Sequence, residues 1–347
     1  MKLTRREFSK LAATASWVAG AGGWRMDESA GSLTDVTGIR VGHFTHDRRP
    51  TGCTVILTGQ PMTAGVDVRG SAPGTRETDL LAPVNTVSQV DAVLLSGGSA
   101  FGLDAATGVV RYLEEHGRGY PTSAGPVPIV PAAILFDLAV GDPRIRPDAE
   151  AGYQACVAAG SSPVEEGNVG AGAGATVGKL LGMEHAMKGG TGSAAFRVGK
   201  LVVAALAAVN CIGDVRDPET GRILAGARNP EGGGFADLRK VLRSRNLAPP
   251  SSAAQNTTLV VVATNADFDK TAMTKIASMC HDGFARAIHP VHLPHDGDTA
   301  FALSTGEIRD FTLTQVGALA ADVAAAAIAR AVLTARSIPG FPAHVSI

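Results

Sequence analysis

The stretch TTLVVVAT at residues 257–264 decides how this 347-residue chain is interpreted. Its apolar and β-branched residues run on without polar alternation, which predicts a strand buried on both faces. Residues 214–256, immediately before it, contain Asp-Pro, Asn-Pro, three consecutive glycines and Pro-Pro, a composition typical of a long exposed connection. A polar connection therefore runs directly into a core strand, and the bond between Asn256 and Thr257 marks the junction.

A threonine at this junction becomes a complete nucleophile if the bond before it is cut. The freed α-amine has an ordinary pKa of about 7.7–8.0 and can accept the proton of the threonine's own hydroxyl. We therefore predict that the Thr257 hydroxyl attacks the Asn256 carbonyl and that water hydrolyses the resulting ester. The same pattern also fits a loop that simply meets a strand beginning with threonine, and taken alone it favours this simpler interpretation.

A pair of carboxylates supports the catalytic interpretation. The sequence HDGDT at residues 295–299 precedes a predicted strand at 300–304 and places Asp296 and Asp298 on either side of a glycine. Side chains two positions apart on an extended segment point to the same face, so we expect one carboxylate to hold Thr257 and the other to orient the first. A DGD turn is the alternative. Calcium loops also use this spacing. A full loop needs further oxygen ligands, which Thr299, Phe301 and Leu303 do not supply as a set, so we expect no metal and no cofactor.

Other motifs do not meet the requirements of their chemistry. The glycine-rich residues 170–179 lack the first glycine and the final Ser/Thr of a P-loop, and residues 97–101 lack the last glycine of a nucleophile elbow. The four cysteines form no CxxC pair. Four histidines lie close together in the sequence: His281, His289, His292 and His295. They form no HExxH motif, so we interpret them as surface or packing histidines.

The composition and the first residues indicate the surroundings of the protein. The chain is 45% hydrophobic and 18% charged with a net charge of −1, which allows a large core and gives no basic surplus for binding nucleic acid. TRREFSK at residues 4–10, followed by a short apolar run at 11–23, is typical of a twin-arginine export signal. A chance Arg-Arg pair is the alternative. We expect residues 1–32 to be signal and spacer, followed by export to the periplasm without stable membrane insertion.

The remaining segments alternate predicted strands and helices, which indicates one layered α/β or α+β domain over residues 33–347. Seven segments in order resemble the DmpA-type family of L-aminopeptidase/D-amidase/D-esterases. They are GTRETDLL at 74–81, LSGGSAFGLDAA at 95–106, VPIVPAA at 127–133, GAGAGATVGK at 170–179, AVN at 208–210, DGDT at 296–299 and FALSTG at 301–306. They extend over nearly the whole chain after the predicted signal.

The resemblance implies a fold and a set of functional residues. The implied fold is an α+β, four-layer αββα sandwich of the N-terminal-nucleophile type, cut into residues 33–256 and 257–347 and assembled as a homotetramer. Threonine together with the DGD pair is more similar to the nylon-oligomer hydrolases of the family than to its serine members. The resemblance makes Asn210 the oxyanion-binding residue and Lys179 a lysine close to the nucleophile. Phe136 departs from the family, because relatives often carry there a tyrosine that can donate to an oxyanion.

We therefore expect an amide hydrolase that acts on small peptides or amino-acid amides through an acyl-enzyme. Three alternatives remain open at this stage. An acyltransferase of the ornithine-acetyltransferase type would pass the acyl group to an amine instead of water. An endo-hydrolase would cut nylon-like oligoamides internally, and a non-catalytic binding protein would keep the scaffold without cutting itself.

Overall fold

The computed structural model describes residues 31–244 and 256–344. The predicted twin-arginine segment lies outside the described residues. The strands are β1 Ile39–Thr45, β2 Gly52–Val68, β3 Thr75–Arg76, β4 Gln89–Ser96, β5 Tyr120–Thr122, β6 Gly125–Val127, β7 Ala132–Ile134, β8 Thr176–Val177, β9 Met187–Lys188, β10 Gly190–Val198, β11 Leu201–Asn210, β12 Asp214–Arg216, β13 Ile223–Ala225, β14 Thr257–Ala266, β15 Ile288–His289 and β16 Thr299–Ile308. The α-helices are α1 Ala105–Glu115, α2 Ala149–Val157, α3 Leu238–Val241, α4 Lys270–Ala287 and α5 Leu313–Leu333.

One strand, β2, links two stacked layers of sheet. The strand order is β10-β11-β14-β16-β2-β4-β7-β3, with β1 also paired to β2. Residues 63–68 of β2 pair with β16, whereas residues 52–58 pair with β1 and residues 53–57 pair with β4. The 17-residue strand therefore contributes its second half to one layer and its first half to the other. Most neighbours are antiparallel, but β14 and β16 run parallel.

The strand β14 shows why its sequence is continuously apolar. Val260 and Val262 pack on one face into a core that α4 and α5 cover. Leu259, Val261 and Ala263 point to the other face and pack against residues of β2 and β4. Both faces are buried, so no polar alternation is tolerated.

Helices α1 and α2 cover the outer face of the second sheet layer, where Val55 and Leu94 pack against Val109 and Ala155. The order from one side to the other is thus α4 and α5, a first sheet layer, a second sheet layer, and α1 and α2. The predicted αββα sandwich is confirmed.

Residues 214–244 correct the expectation of a long exposed connection. They form β12, β13 and the short helix α3, and β12 pairs with both β13 and β15. Val215, Ala225 and Leu238 are fully buried. Small apolar residues between the turn signals were enough to dock this segment on the core, although the turn residues dominate its composition.

Helix α5 lies within the first helical layer. In the part of the chain that the structure describes, it is the one helix long and apolar enough to cross a membrane. Of its most apolar stretch, 67% is buried inside the protein, as in the core helix of a globular domain.

Candidate active site

Sheet pairing places the predicted site residues at one end of three neighbouring strands. In the antiparallel pair β11–β14, Asn210 stands opposite Thr257. The parallel pair β14–β16 sets Leu259 beside Thr299, so the DGD loop that precedes β16 runs alongside the start of β14. Asn256 forms an isolated bridge with Asp296. Residues distant in sequence therefore meet because their strands are hydrogen-bonded neighbours.

The Thr257 hydroxyl lies against the bond that it is predicted to cut. Thr257 is 3% exposed, and its Oγ1 donates to the carbonyl oxygen of Asn256. The same carbonyl accepts a hydrogen bond of 3.2 Å from the backbone N–H of Gly297. The peptide before Thr257 is thus buried, close to a hydroxyl and polarised by a backbone donor.

Glycine at position 297 is required by this close approach. A Cβ there would lie 2.7 Å from Thr257 Oγ1 and 3.0 Å from the carbonyl oxygen of Ala72. Real side chains essentially never tolerate the first distance. The glycine of the DGD sequence therefore leaves space for the Thr257 hydroxyl.

The two carboxylates differ in their hydrogen bonding. Asp298 accepts from Thr258 N at 2.7 Å through Oδ1, and from His292 through Oδ2. Asp296 accepts at Oδ2 from Leu293 N at 2.9 Å. Its Oδ1 is buried without a hydrogen-bond partner among the described residues. Burial, followed by the charge of Asp298, raises the pKa of Asp296 to about 7, so this carboxyl can exchange a proton near neutral pH.

Asn210 and Lys179 form a second buried group on the other side of Thr257. Lys179 Nζ donates to the carbonyl oxygen of Asn210 at 2.9 Å and to its Oδ1 at 3.0 Å. Thr176 N also donates to Oδ1, at 2.9 Å. Burial lowers the pKa of Lys179 to about 7, while nearby anionic groups, Asp296 among them, oppose this shift. Lys179 therefore also changes its protonation near neutrality.

Phe136 borders this group through its backbone as well as its side chain. Its carbonyl oxygen accepts from Asn210 Nδ2 at 2.9 Å. The ring lines a small cleft with Thr176, Lys179 and Met183. The position where relatives often carry tyrosine is thus beside the predicted oxyanion residue.

Comparison with known proteins identifies the family of this chain. The sequence profile described as Peptidase family S58 matches residues 31–346. The chain belongs to this peptidase family. It is 43% identical to an uncharacterized aminopeptidase of Mycobacterium leprae, over 90% of this chain and 93% of the relative. It is 29% identical to a 6-aminohexanoate-oligomer endohydrolase of Kocuria sp., over 79% and 75% of the two chains.

A solved structure agrees with the fold. The L-aminopeptidase D-Ala-esterase/amidase from Ochrobactrum anthropi, described as a variant of the Ntn-hydrolase fold, superimposes with a TM-score of 0.67 at 21% identity, covering 89% of this chain and 88% of that chain. The S58 family assignment and the aminopeptidase relatives make this chain a peptide or amide hydrolase. The resemblance to the DmpA-type family is confirmed.

The structure of this peptidase brings all five predicted site residues into one region: Lys179, Asn210, Thr257, Asp296 and Asp298. Their individual roles stay predictions. One nearby residue has a contact that the sequence did not indicate. His292, interpreted as a surface or packing histidine, packs against His281 and also contacts Asp298 with both its backbone N–H and its ring. Its position six residues before Asp298, in the loop leading to DGD, was the available signal.

A buried ion pair that the sequence did not indicate supports the segment around Phe136. Arg49 and Asp137 are paired at 2.8 Å, and both side chains are fully buried. Arg49 also donates to the carbonyl oxygen of Val140, and Asp137 accepts from Thr51 Oγ1 at 2.6 Å. Because Asp137 follows Phe136 directly, this pair fixes the backbone that contacts Asn210.

Proposed function

We propose that this S58 peptidase cuts itself between Asn256 and Thr257 and then uses Thr257 as an N-terminal nucleophile. One observation carries the proposal: the buried Thr257 hydroxyl contacts the carbonyl of Asn256 while Gly297 N–H donates to that same oxygen. A backbone donor at a reacting carbonyl stabilises the negative charge that develops there. The Thr257 hydroxyl, the Asn256 carbonyl and the Gly297 N–H therefore lie together in one buried place.

Self-cleavage then takes place in two steps, formation of an ester and its hydrolysis. Thr257 Oγ attacks the Asn256 carbonyl carbon, the C–N bond breaks, and the departing nitrogen, as the Thr257 α-amine, takes up a proton. The product is an ester between Asn256 and the Thr257 hydroxyl. Water hydrolyses this ester, leaving a carboxylate on Asn256 and restoring the hydroxyl. Asp296 and Lys179 are the neighbouring groups placed to exchange protons near neutral pH.

Turnover repeats this chemistry on a substrate amide. The Thr257 hydroxyl gives its proton to its own α-amine and attacks the substrate carbonyl, forming an acyl-enzyme and releasing the amine product with the proton. Water then hydrolyses the ester. Asn210 supplies an oxyanion donor, Asp298 orients the start of β14 through Thr258 N–H, and Lys179 holds Asn210. The proposed substrates are small peptides or amino-acid amides.

Intact-mass measurement tests the maturation step. Purified wild-type protein should consist of two associated chains, one ending at Asn256 and the other beginning at Thr257. Thr257→Ala should remain one chain, and Thr257→Ser should still cut itself. A wild-type protein that remains one chain would refute self-cleavage. An alanine variant cut at the same bond would refute the nucleophile assignment.

A substrate panel separates the remaining possibilities. L- and D-amino-acid anilides, short peptides and 6-aminohexanoate oligomers are offered to the mature protein, with an added amine acceptor in parallel. We expect release of N-terminal residues, with water as the acceptor. Internal cuts in the oligomers would instead place the chain with its 6-aminohexanoate-oligomer endohydrolase relatives. Faster acyl transfer to the amine would favour an acyltransferase.

We also propose export through the twin-arginine signal and assembly of four processed chain pairs. The paired arginines at residues 5 and 6 support export. Replacing both with lysine should retain the protein in the cytoplasm, as cell fractionation would measure. Native mass spectrometry of the processed protein should give a tetramer, and a monomeric pair would refute the assembly.

A further inference from the structure

His292 is built into the site in an unusual backbone conformation. Its φ is +55°, a region that side chains other than glycine adopt infrequently, although histidine, asparagine and aspartate tolerate it better than most. In this conformation both donors of the residue reach the same oxygen. The backbone N–H lies 3.1 Å from Asp298 Oδ2, and the ring Nδ1 lies 2.9 Å from it.

These contacts hold Asp298 in one orientation. His292 N–H and Nδ1 both meet its Oδ2, and Thr258 N–H donates to its Oδ1, so hydrogen bonds hold both carboxyl oxygens. Asp296 accepts one at Oδ2, and its Oδ1 is left without a partner among the described residues. The two carboxyls are therefore placed in opposite environments.

We propose that His292 is a positioning residue that keeps Asp298 directed at Thr258 N–H and so fixes the start of β14 beside the proposed nucleophile. The inference rests on the proposed function, because the residue being oriented is the one that follows the nucleophile. It assigns an unequal role to two aspartates that the sequence presents as equivalent.

A second histidine fixes the ring of His292 from behind. His281, on α4, is 1% exposed and meets His292 edge-on, with ring centroids 4.7 Å apart. Its Nε2 donates to the carbonyl oxygen of Asp67 at 3.0 Å, which sets its orientation. Burial lowers the pKa of His281 to about 4, so it stays neutral at physiological pH. Phe284 completes this wall, with its ring centroid 5.5 Å from that of His292.

The ionisable groups that face the carboxyl pair come from several elements. They are His292 beside Asp298, Lys179 and Cys211 from the Asn210 side, His281 from α4, and Asp67 and Arg69 at the end of β2 behind His281. Lys179 contacts Asn210 and Cys211 contacts Gly213, and neither contact involves His292. A His292 variant therefore removes a contact from Asp298 and none of these.

Two variants separate the hydrogen bond from the packing. His292→Asn keeps a donor close to the position of Nδ1 and tolerates the positive φ, whereas His292→Phe keeps a ring against His281 and removes the donor. Full-length chains are made by cell-free synthesis, translation is stopped, and self-cleavage is followed by mass after dilution into neutral buffer. Gly160→Ala is the control, because a Cβ there would meet no atom within 4 Å.

Losing a hydrogen bond to a charged group should slow self-cleavage of His292→Phe about 10- to 100-fold. His292→Asn should stay within about threefold of wild type, and Gly160→Ala should keep the wild-type rate. A His292→Phe rate like that of the wild type, or an asparagine variant as impaired as the phenylalanine one, would overturn the proposal.

A second readout does not depend on cleavage. In the uncut Thr257→Ala protein with ¹⁵N-threonine, the Thr258 amide shift reports its hydrogen bond to Asp298. The shift should differ from that of the parent protein in the His292→Phe background and match it with His292→Asn; an unchanged shift in His292→Phe would overturn the proposal. If His292→Phe does not fold, His292→Gly, which also lacks the ring donor and tolerates the positive φ, replaces it in both experiments. A wild-type chain that never cuts would refute self-cleavage alone, while this shift still judges His292.

Discussion

Replacing Gly297 with alanine tests the close approach on which the site depends. The new Cβ would lie 2.7 Å from Thr257 Oγ1 and 3.0 Å from the carbonyl oxygen of Ala72. The second neighbour is backbone, so the side chain of Thr257 is the part able to move. The φ of Gly297 lies outside the left-handed region, so the substitution acts through space rather than through backbone strain.

The size of the effect follows from these distances. Relieving the contact requires the hydroxyl to move by roughly 0.5 Å, and misplacing a reacting group by about 1 Å costs on the order of 100-fold in rate. We therefore expect self-cleavage of Gly297→Ala to be slower by about 10- to 100-fold. Overpacking a core contact costs about 1–3 kcal/mol, so the melting temperature of the uncut protein should fall by several degrees.

The assay compares self-cleavage rates by intact mass after stopped cell-free synthesis, with melting temperatures measured in the uncut Thr257→Val background, which keeps a methyl group at the position of Oγ1. Gly160→Ala is the control, because a Cβ there would meet no atom within 4 Å and the backbone is not left-handed. It should leave both quantities unchanged. Wild-type cleavage and melting in Gly297→Ala would show that the glycine does not make room for the nucleophile, and the account of the DGD sequence would be wrong.

Three further predictions concern the groups around the nucleophile. In the uncut Thr257→Ala protein, the raised pKa of Asp296 means that the folded state binds more protons than the unfolded state between pH 4 and 7. The free energy of unfolding should therefore fall by at most about 4 kcal/mol as the pH rises across this window. Chemical denaturation should show a smaller fall after Asp296→Asn. Asn210→Ala should lower the turnover number of the mature enzyme about 100- to 1000-fold, as for loss of an oxyanion donor, and kinetics with wild-type KM and kcat would remove it from the mechanism. Asp137→Ala leaves the buried Arg49 charge unpaired and should cost about 3–5 kcal/mol in denaturant unfolding, whereas a loss below about 1 kcal/mol would show that the pair does not hold this segment.

Much of the first sheet layer is encoded locally. The run at residues 257–264 predicts a buried strand because it lacks any polar position, and β14 is buried on both faces. The sequence predicts helices over residues 269–286 and 315–334. The helices α4 and α5 agree with these spans within a residue or two, because caps and apolar spacing act between near neighbours. Residues 214–244 were misjudged, since the docking of β12 and α3 depends on surfaces contributed from elsewhere.

The sequence by itself determined which residue types the site uses. Thr257 after a polar connection, and two aspartates separated by one glycine, predict a nucleophile and its carboxylates because chemistry restricts the choice of residues. Asn210 and Lys179 came only from the resemblance, since nothing in their local sequence marks them.

The tertiary structure decided where these residues lie and which hydrogen bonds each of them makes. The pairing of β11, β14 and β16 sets Asn210 and the DGD loop on either side of Thr257. Asp298 has three hydrogen-bonding contacts, two of them with His292, whereas Asp296 accepts from a single donor, so two aspartates that look equivalent in the sequence differ chemically. Hydrogen bonding and burial depend on groups far apart in the chain, so this difference has no local signature, and it is the folded geometry that turns the Asn256–Thr257 bond into a candidate for cleavage.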